Sequence, residues 1–181
     1  NIRPGMPPAN PSSTAEPLLS AWGIGFDADK AIGDPVNALK SQRPSGIGRP
    51  VEVSAVQWLG LRESAFATDN PALAELNSLF LTTAGSFTST RDTTELVPLI
   101  TASAQAGTVN AAAGKPEGSA HAGEQLKTSS APLNLVVVGD ADMLMDRNWI
   151  QQRRLLGQTI STAFGNNGDF ALNMVEQMIG G

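Results

Sequence analysis

Two aspartates one residue apart, Asp140 and Asp142, end the apolar run in NLVVVGDADML, which spans Asn134 to Leu144. Carboxylates at that spacing can share a divalent cation. Placed just after a strand, they would also stand where open α/β sheets bind their ligands. The plainer reading is a handover from strand to helix. An aspartate there caps the helix, and its charge gains ~0.3–1 kcal/mol from the helix dipole. The plainer reading is favoured, because the chain supplies few of the partners that a reaction needs. Its one histidine, His121, lies in an Ala/Gly-rich stretch, a poor mount for a general base that must be held within hydrogen-bond reach. There is no cysteine, which excludes thiolate catalysis, cysteine zinc sites and disulfides together. No Gly-x-Ser-x-Gly elbow occurs, and PSGIGRP lacks the third glycine and the preceding strand of a dinucleotide fingerprint.

The Asp-x-Asp spacing invites comparison with the nucleophile motif of haloacid-dehalogenase-like phosphatases, and the match is poor. Those enzymes place Thr or Val two residues after the second aspartate, where this chain has Leu144. They also need a downstream lysine, and the last lysine here is Lys127. Asn173 is a polar amide among the apolar positions of a predicted last helix. A structural hydrogen bond to the turn after the valine run explains it better than a ligand does. If the domain binds a ligand, Asp140, Asp142, Asp169 and Asn173 are the residues expected to hold it. No catalytic residue, metal ligand or cofactor is assigned. The rival reading is a metal-assisted hydrolase or sugar-active enzyme that uses Asp140 and Asp142.

The elements that position these residues follow from periodicity. Leu135 to Val138 form a β-branched run without alternation, which predicts a strand buried on both faces. Trp149, Arg153, Leu156, Ile160 and Phe164 recur at helical spacing, predicting a helix capped by Asn148 and closed by Gly165. A last helix starts at Asp169 and turns Phe170, Met174 and Met178 inward, with Val175 beside them. Upstream, Thr14 and Pro17 open a short helix that ends at Gly23, and GIGFDADKAIGDP reads as a strand and turn closed by Pro35. Alternation in PVEVSAVQWL predicts a strand, and SLFLTTAG another, ended by Gly85. ELVPLITAS is demoted to an edge or bulge by Pro98. NPALAEL predicts a short helix with Asn70 as its cap. Residues 1–13 and 40–50 read as loops, and 106–131 as a mobile low-complexity excursion within one domain spanning 1–181.

Composition narrows the partners. The chain has 181 residues, 41% hydrophobic and 16% charged, with a formal net charge of −5. That balance argues against nucleic acid, whose phosphates call for clustered Lys and Arg. No apolar run approaches the roughly 18 residues of a membrane span. The first residue is not Met and no signal segment is visible, so the sequence reads as a piece of a longer protein.

The segments LNLVVVGDADMLMDRNW and NNGDFALNMVEQMIGG resemble the ending of auxiliary, gliding-motility-type components of bacterial ABC transporters, a strand followed by GDsDF, a helix and N-x-DF-x-x-N. LLSAWGIGFDADKAIGDP and NPALAELNSLFLTTAGSF are similar to that family's earlier stretches. The resemblance covers roughly residues 17–181 except the low-complexity loop. It implies an α/β fold: a flavodoxin-like, class I glutamine-amidotransferase-like three-layer sandwich with a mostly parallel central sheet, truncated at its N-terminus. It also implies an extracytoplasmic, periplasmic domain of an inner-membrane protein, anchored by helices outside this sequence. The expected partners are the ABC transporter permease and ATPase subunits or other envelope proteins, with a sugar or peptide as a possible ligand. The Cys-His-Glu triad of the amidotransferases has no counterpart here, so a non-catalytic interaction module is expected.

Overall fold

The computed structural model describes residues 15, 18–43, 49–111 and 135–180. In chain order these form a one-turn helix α1 (Leu18–Ala21), then β1 (Ile24–Phe26), β2 (Lys30–Gly33), β3 (Ala38–Arg43), β4 (Val51–Arg62), β5 (Ser78–Thr82), β6 (Phe87–Ser89) and β7 (Gly107–Asn110). Two short 3-10 turns over Ala141–Leu144 and Asp146–Asn148 lead to β8 (Ile150–Leu155), β9 (Gln158–Ala163) and the final helix α2 (Asn167–Met178).

β4 is the spine. Its first half is the alternating segment seen in the sequence, with Val51 exposed, and from Ala55 onward its side chains pass into the core. β3 pairs with it along one side and β5 along the other, giving a three-stranded sheet in the order β3-β4-β5. β1 pairs with β6, β2 with β7 and β8 with β9. β2 is tied to the central sheet by two backbone bonds, Ile32 N to Ala84 O (2.7 Å) and Asp34 N to Val56 O (2.8 Å). Leu59 and Leu61 of β4, Leu79 and Leu81 of β5, and Phe170 and Met174 of α2 share one core with Leu73, Leu76 and Met143.

Every strand pairing is antiparallel. This overturns the expected flavodoxin-like, amidotransferase-like sandwich. Parallel strands need crossover connections of a dozen or more residues, usually helical. Here β1 and β2 are separated only by Asp27–Asp29, and the passage from β4 to β5 is a chain of turns. NPALAEL is part of that passage. Asn70 does accept the Ala72 amide (3.0 Å), as a cap would, but the turns never propagate into a helix.

The C-terminal third departs furthest from expectation. Leu135 to Val138 belong to no strand; Val138 is exposed and Val136 packs at the margin of the core. The run lies against the end of the central sheet, where Gly85 N donates to Gly139 O (2.8 Å). A Cβ on Gly139 would come within 2.8 Å of the Gly85 carbonyl, so glycine is needed for that approach. An unalternating apolar run thus marks a segment leaning on a sheet, not a strand inside one. The helix expected over Trp149–Phe164 is the β8-β9 hairpin. Its register places Trp149, Arg153, Ile160 and Phe164 on one face of a two-stranded ribbon, so a helical spacing has been produced by strands folded back on each other. Leu156 and Gly157, at φ 50° and 82°, make the two-residue turn that matches strand twist.

Some expectations fall outside the described residues: the loop over 1–13, residues 44–48 of the loop expected over 40–50, Thr14 and Pro17, His121, and residues 112–131 of the low-complexity stretch; residues 40–43 of that second loop belong instead to β3. Of that stretch, residues 107–110 form β7. Among the described residues no helix is long and apolar enough to cross a membrane.

Leu156 is 97% exposed in a conformation that costs an L-residue with a bulky side chain about 1 kcal/mol. Leu156→Asn, which creates the favoured Asn-Gly turn, is expected to stabilise the protein by ~0.5–1 kcal/mol in thermal or denaturant unfolding. A loss of stability would contradict the turn.

Candidate functional site

β5 pairs with β4 through one edge, so alternate backbone groups at Ser78, Phe80 and Thr82 point away from the sheet. No strand covers them among the described residues. Asn166 accepts the amides of Asn77 and Ser78 through Oδ1, each at 3.2 Å, and its own amide donates to Ser78 O (2.9 Å). Asn167 accepts the Phe80 amide (3.0 Å) and donates through Nδ2 to Phe80 O (2.6 Å) and Met143 O (2.9 Å). Asp140 accepts the Thr82 amide through Oδ2. Side chains from the two C-terminal motifs therefore take the place of a neighbouring strand.

The sequence-predicted site residues divide along this line. Asp140 is buried at 6% exposure. The Asp142 and Met143 amides face its carboxylate without closing a capping hydrogen bond. Burial pushes its carboxyl up to about 6, helped by the charge of Asp142, while the amides of Thr82, Asp142 and Met143 pull the other way. Asp169 is exposed and accepts from Asn166 Nδ2 (2.8 Å), orienting that clamp. Asn173 donates to Ala72 O (3.0 Å), so its structural bond reaches the turns before β5 and not the segment after the valine run. Asp142 alone of the four lines an open groove.

That groove, about 400 Å³, lies at the end of β5 and is lined by Trp58, Thr82, Thr83, Asp142, Arg147 and Asn148. β4 supplies the partly exposed Trp58, and the 3-10 turns supply the polar side. Asn148 donates to the Asp142 carbonyl (2.7 Å) and to Thr82 Oγ1 (3.4 Å), fixing the turn against the strand. Arg147 donates to Met145 Sδ (3.1 Å), and among the described residues no carboxylate pairs with its guanidinium. Thr83 holds φ 63°, a left-handed conformation that β-branched residues rarely adopt and that costs on the order of 1–3 kcal/mol. It is held there by its amide bond to Gln57 O (2.9 Å) and by its hydroxyl bond to Thr82 O. The groove combines an aromatic wall, hydroxyls, an amide, a carboxylate and a guanidinium, which suits hydrogen-bonded recognition. It contains no nucleophile paired with a base.

Sequence reasoning missed Trp58, Thr82, Thr83, Arg147 and Asn148 as neighbours, because they meet only through the antiparallel fold. Asn167 does carry a signal in the sequence: it opens the N-x-DF-x-x-N motif that also contains Asp169 and Asn173.

A second polar centre ties the turn after β2 to the segment before β7. Asp34, fully buried, accepts from Ser103 N (2.8 Å), Ser103 Oγ (2.6 Å), Asn37 Nδ2 (2.7 Å) and Val36 N (3.0 Å). Burial alone would raise its pKa, but these donors outweigh it and hold the carboxyl below its usual value.

Residues 1–118 match the model of a family described as ABC-type uncharacterized transport system. The matched span includes the WGI and GDP stretches and β4 to β7; the C-terminal motifs lie beyond it. No curated protein and no solved structure matches the chain.

Because the folded pKa of Asp140 lies above its unfolded value, its contribution to stability is fully present below about pH 4 and is lost as pH rises through about 6. Asp140→Asn removes this dependence and can still accept the Thr82 amide. Denaturant unfolding from about pH 4 to about pH 7 should show the variant gaining on wild type by up to ~3 kcal/mol. A difference that stays flat with pH, or that moves in favour of wild type, would show that the carboxyl is not held in its neutral form.

Proposed function

This chain belongs to the ABC-type uncharacterized transport system family, as an auxiliary component of such a system, and we propose that it works there as a non-catalytic interaction domain. In this reading it lies on the extracytoplasmic side, carried by membrane helices outside this sequence. It acts beside the permease and ATPase subunits, contacting the permease or other envelope proteins during export or gliding-motility-type transport. The groove beside Trp58 takes the ligand or partner segment, with a sugar or an extended peptide as the chemistry it suits.

The observation that carries the proposal is the make-up of the groove. A flat indole and a guanidinium flank Asp142, Asn148 and two threonine hydroxyls. Aromatic faces bury ligand area while the polar rim fixes orientation, the usual division of labour in a binding cleft. The hydrolase alternative loses its paired carboxylates. Asp140 is buried and engaged with the Thr82 amide, while Asp142 alone reaches the groove.

Binding is tested by calorimetry with oligosaccharides and extended peptides, and by crosslinking to the transporter subunits in membranes. Trp58→Ala and Arg147→Ala should each weaken the recognised interaction by about tenfold or more, or ~1.4 kcal/mol, with thermal stability little changed in the Arg147 variant. Full affinity in both variants would remove the groove from the proposal. Hydrolysis of an oligosaccharide or peptide that disappears in Asp142→Ala would replace the proposal with catalysis.

A further inference from the structure

The free edge of β5 is closed by side chains, but the hairpin has no such cover. Every residue from Gln151 to Phe164 is exposed, and among the described residues no strand pairs with either edge of the ribbon. A lone two-stranded hairpin is marginal in water, and three or more strands are needed for independent stability. β9 (Gln158–Ala163, QTISTA) has no proline, no bulge against β8 and no charge, the devices by which edge strands avoid pairing.

The outward groups of β9 follow from the register. Phe164 N donates to Trp149 O (2.9 Å), which makes 149/164 a hydrogen-bonded pair. Stepping by two, 151/162, 153/160 and 155/158 are bonded as well, so Thr159, Ser161 and Ala163 turn their amides and carbonyls outward.

We infer that β9 is a homodimerisation edge: a second copy of this chain pairs its own β9 antiparallel to this one, about a two-fold axis at Ser161. Thr159 then bonds with Ala163 of the second copy, Ser161 with Ser161, and Ala163 with Thr159. Centring the axis on Ile160 would lose the pair at Ala163, whose partner would be the positive-φ Gly157. The result is a four-stranded antiparallel sheet in the order β8-β9-β9-β8, an isologous contact that closes on itself. Ile160 comes opposite Thr162 of the other copy and diagonal to its Phe164, so the apolar groups of one ribbon face continue across the junction.

The edge sets no charge against a second copy, although the chain as a whole carries a formal charge of −5. The hairpin contains no acid and two arginines, Arg153 and Arg154, both on β8 and away from the junction. Two copies of β9 meet without like charges opposed. An acidic partner strand would instead be drawn to the β8 edge.

The test is sedimentation equilibrium of the purified chain over a wide concentration range. Wild type should dimerise reversibly; a wild type that stays monomeric throughout overturns the inference, and the edge would then serve a different partner. Ser161→Asp and Ser161→Lys place like charges directly opposite each other, and each alone should weaken dimerisation by at least about tenfold. Mixed in equal amounts they should form a heterodimer. That rescue also shows that both variants fold. Dimerisation unchanged in either variant, or no rescue on mixing, overturns pairing at Ser161. Ser161→Pro removes an outward amide without breaking a bond to β8, and should likewise give a monomer with the thermal transition of the folded protein.

Discussion

A strand at the rim of a sheet leaves every second amide and carbonyl without a partner, and buried groups of that kind each cost about 1–3 kcal/mol. β5 meets this requirement with side chains. Asn166 serves Ser78, Asn167 reproduces at Phe80 the paired donor and acceptor of a neighbouring strand, and Asp140 takes the Thr82 amide. Asn167 has no exposed surface, and its second donor bond, to Met143 O, joins the 3-10 turn to the same point. Three parts of the chain far apart in sequence are fixed at one strand. The groove depends on this, since Thr82, Thr83, Asp142 and Asn148 keep their spacing only while the turn is held to the end of β5.

The same constraint explains what the sequence disclosed and what it hid. Local signals were sound where local physics governs. Alternation marked β4, Gly85 lay just past β5, and Gly23 closed α1 with φ 75°. Phe170 and Met174 were rightly assigned to the core face of the last helix, although Met178 and Val175 are exposed. Periodicity failed where different geometries share a spacing. The valines at 136–138 carry no alternation because they lean on a sheet, and the residues from Trp149 to Phe164 satisfy a helical repeat while lying on one face of a hairpin. The decisive signal there was the Leu156-Gly157 turn between two β-prone segments. The two aspartates and N-x-DF-x-x-N were recognised as special, yet their main work is structural: Asp140, Asn167 and Asn173 all bond to backbone. The groove was not legible, because Trp58 and Arg147 are brought together by long-range pairing.

These features fit an auxiliary part of a transport system. The fold spends its buried polar groups on holding edges and turns, with Asp34 fixing the turn after β2 and Asn167 the edge of β5. What remains exposed is a groove rich in hydrogen-bonding groups and a ribbon with open backbone edges. Both are means of contact.

Amide hydrogen exchange in wild type and Asn167→Ala tests the central claim most directly. In wild type the Phe80 amide should be protected as strongly as those of Leu79 and Leu81, although among the described residues no strand pairs with β5 on the edge to which it points. In the variant its protection should collapse and global stability should fall by about 2–4 kcal/mol, since Phe80 and Met143 lose their partners. Unchanged protection at Phe80, with stability altered by less than about 0.5 kcal/mol, would show that β5 does not depend on this side chain.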